Sequence, residues 1–78
     1  MKLYKITKNG QDIFNSLTKE EAVNKFFPAI EERSNGYIYD NEKEAIFNEV
    51  DGRVVATSGN ESVTAGNDHF QITEDNEC

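Results

Sequence analysis

The chain reads as an α+β domain: an antiparallel sheet, built from an N-terminal hairpin and a C-terminal meander, with one helix packed on it, in the order ββαβββ(β). Three observations predict this. Asn9-Gly10 and Asp51-Gly52 each stand between short runs rich in apolar and β-branched residues, the mark of two-residue hairpin turns. Between them, Thr18 followed by Glu21 opens a stretch whose apolar residues recur at helical spacing. At 78 residues there is room for one small core and no more.

Residues 2–8 and 11–15 form the first hairpin, because asparagine and glycine both tolerate the positive φ of a type I′ turn. That register sets Lys8 opposite Gln11, Ile6 opposite Ile13 and Tyr4 opposite Asn15. Tyr4, Ile6 and Ile13 then share one face, with Leu3 and Phe14 on the other. Thr18 is the predicted helix cap and Glu21 its reciprocal partner, while Glu20 and Glu21 suit the positive end of the helix dipole. Ala22, Val23, Phe26, Phe27 and Ile30 form the apolar stripe. Pro28 interrupts it. It removes a hydrogen bond to the Asn24 carbonyl, which predicts a kink or a break there, with a short second turn over residues 28–33. Asn35-Gly36 supplies a left-handed stop.

Residues 37–57 read as a meander of strands 37–39, 45–50 and 53–57, joined by a polar turn over 40–44 and by Asp51-Gly52. This register places Val50 opposite Arg53, Asn48 opposite Val55 and Ile46 opposite Thr57. Residues 58–67 are small and polar and read as a loop. Residues 69–73 make a last strand with Phe70 and Ile72 on one face. The domain thus spans 1–73, and 74–78 form a disordered acidic tail.

Charge is divided by position. Residues 1–30 hold five lysines against Asp12, Glu20 and Glu21, a net of +2, whereas residues 31–78 hold three cations against twelve acids, a net of −9, and the two sum to the −7 of the whole chain. Nucleic acids and anionic membranes attract clustered Lys and Arg, so direct binding to either is not expected. A basic surface on another protein is the fitting partner, although charge of this size also serves plain solubility. No apolar run approaches the roughly 18 residues of a membrane-spanning helix. Cys78 is the single cysteine, so no internal disulfide forms, which fits a reducing cytoplasm.

Chemical motifs are few. His69 is the one histidine, and Cys78 on a tail is a poor second ligand, so no metal site is expected. Asp68-His69 has the form of an orienting pair for acid–base work, but no well-placed nucleophile accompanies it in sequence, and a surface histidine entering a strand accounts for it better. A calcium loop counted from Asp40 would need glycine where Ala45 stands and glutamate where Asp51 stands. Asn60-Glu61-Ser62 matches a glycosylation acceptor, which carries no weight without a secretory signal. There is no phosphate-cradling glycine loop and no Ser or Cys nucleophile motif, so neither an enzyme nor a cofactor is expected.

The informative set is Glu31, Glu32, Asp40, Glu42, Glu44, Glu49 and Asp51. Carboxylates on one strand face repeat at about 6–7 Å, close to the spacing of backbone phosphates, so such a row can occupy a basic groove made for nucleic acid. The plainer account is a solvated sheet face and turn.

The opening Leu3-Tyr4-Lys5-Ile6-Thr7-Lys8-Asn9-Gly10, followed by Phe14-Asn15-Ser16-Leu17-Thr18-Lys19-Glu20-Glu21, resembles a pattern in short phage-encoded proteins of unassigned role. The likeness ends before the acidic meander, and Pro28 is not part of it. It identifies no functional residue. It implies a phage or mobile-element origin, a host-cell cytoplasmic location and action by binding a host protein. The expectation is therefore a non-enzymatic inhibitor or nucleic-acid mimic that engages a basic surface of a nucleic-acid-handling protein. The alternative is a structural homodimer or accessory subunit, paired through an open edge of the last strand.

Overall fold

In the computed structural model, which describes residues 2–57 and 59–75, the strands divide between two antiparallel sheets that share one helix. The elements in chain order are β1 (Leu3–Lys8), β2 (Gln11–Leu17), α1 (Lys19–Arg33), β3 (Tyr37–Asp40), β4 (Ala45–Asn48), β5 (Val54–Thr57), β6 (Ser62–Ala65) and β7 (Asp68–Asp75). One sheet has the order β2-β1-β7-β6 and the other β3-β4-β5. The α+β class and the ββαβββ(β) order hold, with the final strand arriving as one arm of a β6–β7 hairpin.

The core forms where the helix meets both sheets. Ile6, Phe70 and Ile72 from the four-stranded sheet, Phe26, Phe27 and Ile30 from α1, and Ile46 and Ala56 from the three-stranded sheet make one buried cluster. Apolar burial of this kind contributes about 25 cal/mol per Å², and it is the dominant favourable term in a domain without a described disulfide or metal.

Asn9-Gly10 turns the first hairpin as expected, both residues at positive φ, and Lys8 pairs with Gln11. Further along, the register departs from the simple one. Ile6 faces Phe14 rather than Ile13, and Tyr4 faces Leu17 rather than Asn15. Two irregularities in β2 cause this, one of them at Ser16, which takes φ 57° and donates its N–H to the Asp75 carboxylate at 3.1 Å. Each extra residue shifts the pairing and returns the next side chain to the other face.

Thr18 caps α1 as predicted: its hydroxyl accepts from the Glu21 N–H at 3.2 Å, and the Glu21 carboxylate accepts from the Thr18 N–H at 2.9 Å. The bond from the Thr18 N–H to the carboxylate, and after it the nearby Thr18 hydroxyl, lower the Glu21 pKa below the ordinary glutamate value. The predicted break at Pro28 does not occur, since α1 continues unbroken to Arg33. Pro28 and Asn24 are exposed, so the unpaired Asn24 carbonyl meets water. The cost of an interior proline, about 3 kcal/mol, is offset because Ala29 and Ile30 beyond it are fully packed. The predicted left-handed stop does not end the helix: Ser34 caps it in an extended conformation, φ −122°, donating its N–H to the Ile30 carbonyl at 2.9 Å, and Gly36, at φ 88°, turns the chain on toward β3.

The second predicted hairpin also has a different register. Phe47 pairs with Val54, Ile46 with Ala56 and Ala45 with Thr57, while Val50, Asp51 and Arg53 belong to the connection. The Asn48 carbonyl accepts from the Gly52 N–H at 2.8 Å, closing a wider turn than Asp51-Gly52 alone would make. The segment read as a loop contains β6, whose Val63 and Ala65 are buried. β7 runs to Asp75, so Glu74 and Asp75 are strand residues rather than tail. Residues 76–78, including Cys78, lie outside the described residues. β7 sits between β1 and β6, so neither of its edges is open.

Candidate functional site

The three-stranded sheet turns one face to the core and the other outward. Tyr39 and Ile46 are register partners, and both pack on the core. Alternation therefore sends their neighbours Ile38 and Phe47 to the outer face. Ile38 pairs with Phe47, and Phe47 pairs with Val54, so the three form a row across the sheet. Val54 is 62% exposed, and Val50 in the adjoining turn is 90% exposed. An outward apolar row on a charged domain is the kind of surface that meets a partner.

The seven singled-out acids do not form an even row on a strand. They gather mainly at the two ends of β4. Asp40 ends β3, Glu42 and Glu44 belong to the β3–β4 turn, and Glu49 and Asp51 to the β4–β5 turn, so the two groups are separated by the length of β4, about 13 Å. Asp40 and Asp51 have local duties. The Asp40 carboxylate accepts from the N–H groups of Glu42 and Lys43 at 3.0 and 3.2 Å, and the Asp51 carboxylate accepts from the Arg53 N–H at 3.0 Å. Glu31 accepts from the Tyr39 N–H at 2.9 Å and so ties the helix to the edge of β3, while Glu32 pairs with Arg33 at 3.5 Å. Among the described residues, the carboxylates of Glu42, Glu44 and Glu49 have neither a hydrogen bond nor a cation.

Elsewhere, Glu20 apart, the described acids have partners. Lys2 pairs with Glu74, Lys5 with Asp12, Lys8 with Asp68 and Lys19 with Glu61. Four of the five N-terminal lysines are thus taken up by acids of β2, β7 and the segment before β6, while Lys25 lies over the Phe14 ring. Among the described residues no ion pair involves β3, β4, β5 or the turns that join them.

Asp68 and His69 separate in function. The Asp68 carboxylate accepts from the Asn9 side-chain amide at 3.1 Å and the Ser34 hydroxyl at 2.9 Å, and these bonds, Asn9 first, lower its pKa below the ordinary aspartate value. It does not orient the imidazole. His69 instead has hydroxyls at both ring nitrogens, Ser62 Oγ at 3.1 Å from Nε2 and Thr64 Oγ1 at 3.0 Å from Nδ1. Sequence reading finds no hydroxyl for His69 because it treats 58–67 as a loop. The hairpin pairing that sets Thr64 opposite His69 provides them. The cluster is exposed and lies on a hairpin, outside the cleft described next.

That cleft, of about 70 Å³, opens between α1, the β3–β4 turn and the segment before β6. Phe26, Phe27, Tyr39 and Ile72 line it, with the carboxylate-bearing residues Glu44 and Glu61 at its walls. Phe27 and Tyr39 meet edge to face, their centroids 5.9 Å apart. Among the described residues no group of His, Cys, Asp and Glu side chains is arranged to hold a metal ion, and no helix is long and apolar enough to cross a membrane.

Compared with protein-family models, with curated proteins and with solved structures, the chain matches none of them.

Proposed function

We propose that this protein is a small acidic binding domain that engages a basic surface of a larger protein through its three-stranded sheet. One observation carries the reading: Glu42, Glu44 and Glu49 lack any cation partner among the described residues, although Lys2, Lys5, Lys8 and Lys19 are all paired with acids elsewhere. Unmatched carboxylates at both ends of an outward apolar row favour association with a surface that carries cations around an apolar centre. In a phage setting the partner is a host nucleic-acid-handling protein, whose basic groove is the surface on offer, and the domain acts as an inhibitor. Two acidic turns about 13 Å apart support occupation of two points in such a groove rather than imitation of every phosphate.

The test is affinity capture from a lysate of the source or host cell, washed at low and then high salt. The expected result is a basic protein held at low salt, released at high salt, and missing from the Glu42→Lys, Glu44→Lys, Glu49→Lys triple variant. Equal capture by the variant would overturn the reading. A salt-resistant dimer of the chain with itself would favour the structural alternative.

A further inference from the structure

The geometry points to the cleft beside Glu44 as a socket for a single arginine side chain of the partner protein. This rests on the basic-partner reading and specifies where one of the partner's cations goes. The cleft, of about 70 Å³, is well above the roughly 10–15 Å³ that a single water needs, so it has room for part of a side chain. Its floor is aromatic and aliphatic, from Phe26, Phe27, Tyr39 and Ile72, and it suits the methylenes and the flat face of a guanidinium.

The polar groups around that floor accept hydrogen bonds and favour positive charge. Glu44 has no cation partner among the described residues. Lys19 engages Glu61 through Oε2, which leaves Oε1 without a recorded bond. The side chain of Asn24 also lines the cleft. The lining therefore carries one uncompensated negative charge, which fits one monocation and repels an anion. Arginine fits better than lysine because its planar fork can reach two acceptors while it stacks.

Two further features bear on this cleft. Other aromatic rings already have cations over them: Lys19 lies 4.9 Å from the centroid of Tyr4, and Lys25 and Arg33 lie 5.6 and 5.1 Å from that of Phe14. Among the described residues Phe27 and Tyr39 have none. Glu44 is also held at φ 49°, in the left-handed region that a glutamate does not favour. The Asp40 carboxylate, bonded to the Glu42 and Lys43 N–H groups, shapes the turn that keeps it there. Strain at a residue lining a cleft is a recurring property of binding sites.

The experiment is an NMR titration of the whole 15N-labelled chain with Nα-acetyl-arginine N-methylamide. The neutral citrulline analogue serves as control, and both ligands are also added to the Glu44→Gln variant. The expected result is saturable shifts at the amides of Val23, Asn24, Tyr39, Glu44 and Asn60. Affinity should fall at least tenfold for citrulline and at least tenfold in the variant, whose spectrum away from the cleft stays unchanged. Binding that is equal for citrulline, or equal in Glu44→Gln, would overturn the proposal, as would unsaturated shifts spread over Glu42, Glu49 and Asp51. Loss of partner capture in a Glu42→Lys, Glu49→Lys double variant, with no arginine binding in the cleft, would remove the socket and leave the acidic-surface reading standing. Arginine binding in the cleft without salt-dependent partner capture would remove that surface reading and, with it, the assignment of the arginine to a partner protein.

Discussion

In the four-stranded sheet the strands run from four to eight residues, and lysines around it pair with acids of β2, β7 and the neighbouring segment. In the three-stranded sheet every strand has four residues, and no ion pair among the described residues touches it. The first sheet has its central strands, β1 and β7, paired along both edges. The second has one central strand, β4, and turns an apolar row outward. Exposed ion pairs are worth only about 0–1 kcal/mol each, so the matched charges do not set how much each sheet contributes to the fold. Burial does. The matching instead accounts for where negative charge is left over, and it is left over on the sheet that contributes less to the core.

The sharpest way to break this contrast is in the two aromatic residues that represent it. Phe70, fully buried at the centre of the four-stranded sheet, should cost about 3–5 kcal/mol when changed to alanine, enough to unfold a domain of this size. Phe47→Ala, on the outer face of the three-stranded sheet, should cost about 1–2 kcal/mol. Urea unfolding measures both. Equal losses would mean that the outer row is a second core rather than a binding face.

A smaller contrast separates two kinds of acid. Glu31→Ala removes the acceptor for the Tyr39 N–H and should cost about 1 kcal/mol, whereas Glu42→Ala and Glu49→Ala should stay within about 0.5 kcal/mol of the parent. Thermal melts of the three variants check this. Losses of the same size at all three positions would give Glu42 and Glu49 a structural role.

Glu44 tests whether strain is being kept for binding. Glu44→Gly relieves the left-handed backbone and should hold or raise stability, by up to about 1 kcal/mol, while arginine binding in the cleft is lost. A clear destabilisation in the melt would show that the glutamate side chain supports the turn.

The mildest expected effect is on acid stability. The Asp68 pKa is lowered in the folded protein, so its contribution is fully present above the unfolded aspartate value, about 4, and is lost as the pH falls from there through the lower folded value. Asp68→Asn should therefore flatten the decline of the urea midpoint in that window and have lower stability than the parent at neutral pH. A decline of unchanged steepness would mean that other carboxylates, Glu21 among them, carry the acid sensitivity.

The features legible in the sequence were those whose physics is local. Asn9-Gly10 and the Thr18 and Glu21 capping box each act within a few residues, and each does what its residue types require. Pro28 was legible as a cost but not as an outcome, because what holds the helix together beyond it is packing from both sheets onto Ala29 and Ile30. Ser62–Ala65 did carry a signal, the alternation of Val63 and Ala65 with polar neighbours before the Gly66-Asn67 turn, but the small polar composition around it masked that signal. The acidic set was legible as a composition. Its division into two turn groups was not, because the β4–β5 register depends on Asn48 bonding to Gly52 rather than on the Asp51-Gly52 pair alone.

By itself the sequence determined the α+β class, the Asn9-Gly10 turn and the helix cap, the hydrophobic residues available for a core, and a back half with far more acids than cations. These follow from short-range sterics, from hydrogen bonds a few residues apart and from counting. Only the tertiary structure decided that the strands divide into two sheets, that four of the lysines pair with acids in and beside the four-stranded sheet, and that Glu44 stands beside an aromatic cleft. These outcomes depend on residues far apart in the chain, such as Lys8 with Asp68 and Phe27 with Tyr39, and such pairs have no meaning until apolar burial folds the chain and fixes which surfaces meet.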